Sequence, residues 1–468
     1  MEHIDSPTFH AVVTTGIYCR DGCPASPLPH NVHDYTFAAA AEADGYRPCR
    51  RCRPERSPQP TGADAPDLVC RALRIISTGG LDRTSTEQLA RDLGVSDRHL
   101  RRLFREYVGT SPDVVARSRR AHLAKRLIDE IDLPISDIAF AAGFNSLRQM
   151  NRVMRSVFRR SPTELRAHAP HEAHPVEDGS LVLRLAVPTP LAIAPLFAFL
   201  RDRAVPGVES ATATSYQRTV LVDDAPGFLQ LEAAADSTEI SLRALLPSYR
   251  PLSHIVGQAR RLLDLDAPIE AIDDHFVGDP WLRASVRRTP GMRVPGTWDP
   301  FELAVRAILG QQVTVAGATT LAGRLVEVYG TEVTTPDGHR HRVWPTAEVL
   351  CDVDSATIGI PRARGATIQS LSRAIVEGRV ALDERQAPGE VVEKLRALPG
   401  IGPWTASYIA MRALGDRDAD PVGDIALRAA LARRGTRPSS AEVDETFAAW
   451  QPWRSYAAIR LWGARGHH

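Results

Sequence analysis

Two stretches interrupt the hydrophobic periodicity of this chain, "RPERSPQPTGADAPD" (Arg53 to Asp67) and "AHAPHEAHPVEDGS" (Ala167 to Ser180), and no core runs through either. Both are rich in proline, small residues and charge, the composition of linkers rather than of packed elements. They cut the 468 residues into three blocks. Length alone requires two to four domains, because a single core stops growing at about 250–300 residues. The formal charge of +1 conceals a segregation: from Arg91 to Arg166 stand 16 basic and 9 acidic residues, a local +7. The basic face therefore belongs to the middle block.

The first block carries four of the six cysteines, as Cys19-x₃-Cys23 and, 25 residues later, Cys49-x₂-Cys52. Two close pairs of thiols suit a tetrahedral zinc ion with bonds of about 2.3 Å. Cysteines crowded into one end are not a disulfide framework spread over a secreted chain, so a reducing compartment is expected. By spacing alone the pairs form a structural clip for one Zn²⁺, and Cys70 and Cys351 are ordinary buried thiols. The chain starts without a basic region followed by an apolar run, and proline or charge breaks its longest apolar stretches. A soluble, cytoplasmic protein with no membrane partner is expected.

The middle block is helical, with apolar Val114, Ala121, Ala124, Leu127 and Ile128 at three- and four-residue spacing. In "STEQLARDLGVSDRHLRRLFREYVGTSP" a short helix, a turn at Gly94 and a helix capped by Ser96 follow in order. The second helix carries Arg98, His99, Arg101, Arg102 and Arg105. The pattern recurs around Gly143, with Arg148, Gln149, Asn151, Arg152 and Arg155 on the following helix. One such helix is better read as a solvated face. Two copies with matching turns point to paired helix-turn-helix units. Their arginines either pair with guanine edges or hold phosphates, and residue type does not separate the two.

In the last block, strand-like runs extend from Leu181 to about Leu246, and helical periodicity takes over after about Ser253. A small α+β lobe followed by a helical lobe is expected. Within "VVEKLRALPGIGPWTASYIAMRALGDRDADPVGDIALRAAL", Val392, Leu395 and Leu398 form an apolar stripe. Pro399 to Gly402 make a tight hairpin, and Pro403 suits the first turn of a helix. The amides of Gly400 and Gly402 can approach a phosphate closely. Asp424 opens the helix "IALRAALARR"; as an N-cap alone it contributes about 1 kcal/mol.

These motifs also carry resemblances. The span from Leu181 to Trp462 resembles the AlkA branch of the helix-hairpin-helix DNA glycosylases, at "FLRDRAVPGVES", "AVRAILGQQVTVAGATTLAGRLV", "LPGIGPWTASYIAMRAL", "GDIALR" and "PWRSYAAIRLW". That resemblance implies a catalytic Asp424, an aromatic pocket of Phe199, Trp404, Tyr408 and Trp462, and a wedge into the duplex near Gln312. An alkylated purine carries positive charge, which aromatic faces attract and which makes it a good leaving group. Trp404 stands where strand-cleaving relatives carry a lysine, which implies base release without a lyase step. Ile425 follows Asp424 where AlkA has a tyrosine.

The middle block resembles the AraC-type DNA-binding domain, which assigns DNA contacts to Arg98, His99, Arg102, Arg148, Gln149 and Arg152. "VVTTGIYCRDGCPASPLPHNVHDY" with "GYRPCRRCRPE" looks like the N-terminal domain of the Ada repair proteins. There the first cysteine, hence Cys19, takes a methyl group from a methylated backbone phosphate as well as binding zinc. Ser26 stands where Ada relatives commonly carry arginine.

The expected architecture is multidomain α+β. A small zinc-bound α/β domain (1–56) and a linker (57–67) precede an all-α double helix-turn-helix domain (68–168). After a second linker (169–179) come a β-rich subdomain (180–252) and a helix-hairpin-helix glycosylase core (253–468). The order resembles the Ada-AlkA fusion family and implies an alkylation-response protein: a methyl phosphotriester sensor that activates transcription, and a 3-methyladenine glycosylase. Its expected partners are alkylated and promoter double-stranded DNA and RNA polymerase, met as a monomer at the nucleoid. Two other readings remain open here: a glycosylase with passive DNA-targeting modules, and a regulator with an inactive glycosylase lobe.

Overall fold

The computed structural model describes residues 9–25, 27–54, 65–169, 180–223, 225–233, 238–334, 340–421, 423–432 and 439–463. Ser26 and most of both expected linkers lie outside them. The chain packs as two bodies, residues 1–188 with 238–260 and residues 189–237 with 261–468. The expected subdomain 180–252 is thus shared between them.

In the first body a four-stranded sheet runs in the order Val32–Tyr35, Phe9–Val12, Ile17–Arg20, Arg47–Pro48. The first three strands are antiparallel and the last is parallel to its neighbour. The two-residue period sends Phe9, Ala11 and Tyr18 into a small core. The helix Ala38–Ala43 closes that core with four buried alanines, Ala38 to Ala41.

Among the described residues seven helices follow, and serine oxygens set several of their starts. Ser85, Ser96, Ser146 and Ser161 each accept a backbone amide of the next turn. The Ser-Pro pairs at 111–112 and 161–162 place proline in the first turn of a helix, where its missing N–H costs nothing. The turns of both helix-turn-helix units carry a glycine at positive φ, Gly94 at 73° and Gly143 at 88°. Gly143 is doubly constrained, because a Cβ there would lie 2.3 Å from Asp82 Oδ2. Asp82 in turn accepts from Arg119 at 2.8 Å, Arg120 at 3.2 Å and Ser253 at 2.8 Å. One carboxylate therefore bonds to the long helix Pro112–Glu130 and leaves no room for a side chain at the second turn.

The sheet and the helices share this body. Phe37 packs into the core of the first helix-turn-helix unit with Leu89, Leu100 and Phe104. Glu42 Oε1 accepts from the Tyr18 hydroxyl at 2.8 Å and pairs with His122 Nε2 at 2.6 Å, joining the strand that bears Cys19 to the helix Pro112–Glu130. The strand Leu181–Ala186 pairs antiparallel with Glu239–Leu245, bringing residues beyond the expected linker into the same body.

The second body has an antiparallel ladder of Glu209–Ala211, Ser215–Val222 and Ala225–Ala233 beside a helical lobe. That lobe also contains a strand pair, Thr331–Thr334 with Arg340–Val343, where only helices were expected. A buried ion network fastens the ladder to the helix Pro300–Leu309. Arg218 donates to Glu302 at 2.8 Å, and Arg306 donates to both Glu302 and Glu209 at 2.8 Å. Tyr216 completes it by donating to Glu209. The apolar face of the helix Pro388–Arg396 is Val391 and Leu395 rather than Val392, which is half-buried. Among the described residues no helix is long and apolar enough to cross a membrane.

Removing one member of a buried charge network leaves its partners unpaired, at a cost of about 3–5 kcal/mol. Glu302→Ala is expected to lower the stability of the second body by about that amount, read as a lower denaturant midpoint. An unchanged midpoint contradicts the role given to the network.

Candidate functional site

Asp424 is the N-cap of the helix Ile425–Ala430 and accepts the Leu427 amide at 2.8 Å through Oδ1. The same carboxylate receives the Trp404 indole N–H on Oδ2 at 2.8 Å and the Trp462 indole N–H on Oδ1 at 3.4 Å. All three partners are N–H donors, so it acts as an acceptor throughout. Trp404 lies in the first turn of the helix Pro403–Ala413, and Tyr408, four residues on, stacks beside it with centroids 5.2 Å apart and planes 13° apart. Trp462 tilts against Tyr408 at 6.2 Å. Ile425, next to the carboxylate, is 79% exposed.

Cations hold the rear of this cluster. Arg412 donates to the Tyr408 hydroxyl at 2.8 Å, and its guanidinium carbon lies 4.7 Å from the Phe199 ring centre, with that of Arg203 at 3.7 Å. Burial alone raises the Tyr408 phenol, but the neighbouring Arg412 and Arg203 outweigh it and bring the phenol below its ordinary value. The ring of Phe199, expected to attract a cationic base, thus already stacks with the protein's own guanidinium groups. Phe199 and Trp462 also line a cavity of about 170 Å³ with Leu196, Met292 and Ile459.

The hairpin stands next to this cluster. Gly400 has φ +87°, and a Cβ there would lie 2.0 Å from Thr367 Oγ1, so glycine is required on both counts. Gly402 is the exposed N-cap of the following helix, and a Cβ there would meet open space. Gln312 is exposed and left-handed, with φ 58°, in the turn after the helix Pro300–Leu309.

In the first body the sulfur atoms of Cys19, Cys23, Cys49 and Cys52 all lie within 4.8 Å of one another. A tetrahedron with bonds of about 2.3 Å has edges of about 3.8 Å, so the set fits one zinc ion. Burial, with neighbouring thiols adding to it, pushes Cys19 up, and it raises Cys52 to about 12. Burial raises Cys49 too, yet the amides of Cys52 and Arg51 bring it below its ordinary value. A site that resists forming further thiolates by itself is one that a divalent cation completes.

The second helices of the two helix-turn-helix units are Asp97–Tyr107 and Leu147–Phe158. Arg98, Arg102, Arg148 and Arg152 are exposed on them, and His99 is half-buried. Gln149 is turned inward to its own helix start, where its Oε1 accepts the Asn145 amide at 2.9 Å. Arg101 is held by Asp97 at 2.8 Å and Asp113 at 3.0 Å, which makes it structural.

Comparison with known proteins follows the same division. Models of the metal binding domain of Ada, a helix-turn-helix domain and the AlkA N-terminal domain match residues 2–55, 89–168 and 182–299. The probable bifunctional transcriptional activator/DNA repair enzyme AlkA of Mycobacterium tuberculosis is 41% identical over 461 residues, covering 98% of this chain and 92% of the relative. The chain belongs to that family of Ada-AlkA fusions. DNA-3-methyladenine glycosylase 2 of Escherichia coli is 30% identical over 279 residues, covering 58% of this chain and 93% of that protein. The 3-methyladenine DNA-glycosylase of Archaeoglobus fulgidus superposes with a TM-score of 0.52 at 21% identity, over 60% of this chain and 98% of that one, a likeness of fold.

Within this family member the structure gathers Trp404, Tyr408 and Trp462 around Asp424, and joins Phe199 to them through Arg412. Cys70 is buried, whereas Cys351, expected to be so, is half-buried. Sequence reasoning missed Arg203 and Arg412. Arg412 was within reach, since it stands four residues after Tyr408 on one helix face. Replacing the indole N–H while keeping an aromatic ring isolates its hydrogen bond: Trp404→Phe is expected to slow base release about ten- to hundredfold without unfolding the protein. Single-turnover release beside a thermal melt checks this, and an undiminished rate contradicts it.

Proposed function

We propose that the second body hydrolyses the N-glycosidic bond of alkylated purines in DNA, with Asp424 as the catalytic carboxylate. The observation that carries this reading is the Asp424 carboxylate held by Trp404 and Trp462 beside the glycine hairpin. As the base departs, the glycosidic electron pair goes to its nitrogen, so a cationic alkylated base leaves neutral. Positive charge builds on the sugar, where a fixed carboxylate stabilises it and orients the attacking water. That water forms the new bond to the sugar carbon and gives up a proton to the Asp424 carboxylate. Trp404 offers no amine for a Schiff base, so the product is an intact abasic site.

The same reading gives the first body a sensor. Cys23, Cys49 and Cys52 would hold one Zn²⁺ with Cys19, and the ion would supply the charge that keeps the sulfur ionised at neutral pH. The Cys19 sulfur forms a bond to the methyl carbon as the carbon–oxygen bond breaks, and the phosphate departs as an ordinary diester anion. Four thiolates on a divalent ion carry a formal charge of about −2, which methylation reduces to about −1. At about 8 Å and an effective dielectric of about 20 that charge is worth roughly 2 kcal/mol, a rise of about ten- to thirtyfold in affinity for DNA. Arg98, Arg102, Arg148 and Arg152 then hold promoter DNA, and a monomer presents itself to RNA polymerase.

Release of 3-methyladenine from methylated duplex by the wild-type chain, reduced at least about a hundredfold in Asp424→Asn, is the expected outcome. Equal release by both removes Asp424 from the chemistry.

A further inference from the structure

Gln311 has no part in the chemistry above, yet it makes contacts in three directions. Its side-chain amide donates to the Gly400 carbonyl at 2.9 Å and to the Thr405 hydroxyl at 3.1 Å. Its own carbonyl accepts from Arg364 at 2.5 Å. The orientation of the amide is fixed by chemistry, because a carbonyl only accepts and so must face the NH₂ end. One residue thus ties the turn after Pro300–Leu309 to the tip of the hairpin, to the first turn of Pro403–Ala413 and to the helix Arg362–Val376.

The neighbours make this tie consequential. Gln312 and Val313 project from the same turn, Gln312 in the left-handed region with φ 58° and Val313 39% exposed. Outside glycine that conformation persists only where surrounding contacts enforce it. Gly400, at the other end of the tie, is confined on the Thr367 side, where a Cβ would lie 2.0 Å from Oγ1. A turn that enters the duplex and a hairpin that holds the backbone must act at a fixed separation, because extruding a base needs force against a held strand.

We propose that Gln311 is a positioning residue for base extrusion, locking the Gln312 turn to the Gly400 hairpin so that backbone capture and wedge insertion occur in one geometry. The inference rests on the reading of the second body as a glycosylase with a wedge at Gln312. Gln311→Met keeps length and apolar bulk but loses both side-chain hydrogen bonds, and Gln311→Glu keeps the shape but sets a carboxylate against the Gly400 carbonyl.

The full zinc-loaded chain is compared with these variants and with Gln312→Ala, in single-turnover release of 7-methylguanine from two duplexes. In one the lesion faces cytosine; in the other it faces an abasic site, where extrusion costs less. Both Gln311 variants are expected to lose about tenfold or more on the paired duplex and less than about twofold on the abasic one, with thermal melts as in wild type. Equal loss on both duplexes, or loss on neither, overturns the positioning role. If Gln312→Ala leaves the paired duplex unaffected, or the wild-type chain releases nothing, the wedge or glycosylase reading fails instead, and Gln311 falls with it.

Discussion

The second body depends on how the Asp424 carboxylate is held. An anion beside a developing positive charge is useful only if it does not reorient, and three N–H groups from three separate places fix this one. The Leu427 amide comes from its own helix, the Trp404 indole from the helix after the hairpin, and the Trp462 indole from the last described helix. The capping geometry is therefore also the geometry that the catalytic role proposed for Asp424 requires. The two indoles that restrain the carboxylate are also walls of the aromatic cluster.

Cations behind that cluster bear on the base-attracting role proposed for it. Aromatic faces alone favour a positive ring, but Arg203 and Arg412 already stack on Phe199, and Arg412 donates to Tyr408. Trp404 and Trp462, whose indoles donate to the carboxylate, carry no such stacked guanidinium among the described contacts. Charge also organises the other parts of the chain. Asp82 bonds to the helix Pro112–Glu130 against the Gly143 turn, Glu302 fastens the ladder of the second body, and Glu42 joins the cysteine-bearing strand to the helix between the two helix-turn-helix units.

What was legible in the sequence was local. Cysteine spacing placed four thiols in one cluster, and serine caps, turn glycines and Pro403 fixed helix starts within a few residues of where they stand. The family-level motifs placed Asp424 among Trp404, Tyr408 and Trp462. What could not be read were pairings between distant segments. Ser253 meets Asp82 across 171 positions, His122 meets Tyr18 across 104, and Gln311 meets Gly400 across 89. No period or propensity encodes such contacts, because they arise only once elements pack. The same limit explains the strands Thr331–Thr334 and Arg340–Val343, a short pair stabilised by each other rather than by their own pattern. It also explains the Val392 assignment, since a shift of one residue on a helix turns the apolar face by about 100°.

Both activities are assigned to one chain, so the decisive measurement follows both in one sample. Zinc-loaded protein is incubated with methylated duplex DNA; the peptide containing Cys19 is weighed and the released bases are separated. A single added methyl on Cys19 together with free 3-methyladenine is the predicted result. A cysteine cluster that stays unmodified while bases are released, or a methylated Cys19 with no base released, contradicts the assignment of two chemistries to this chain.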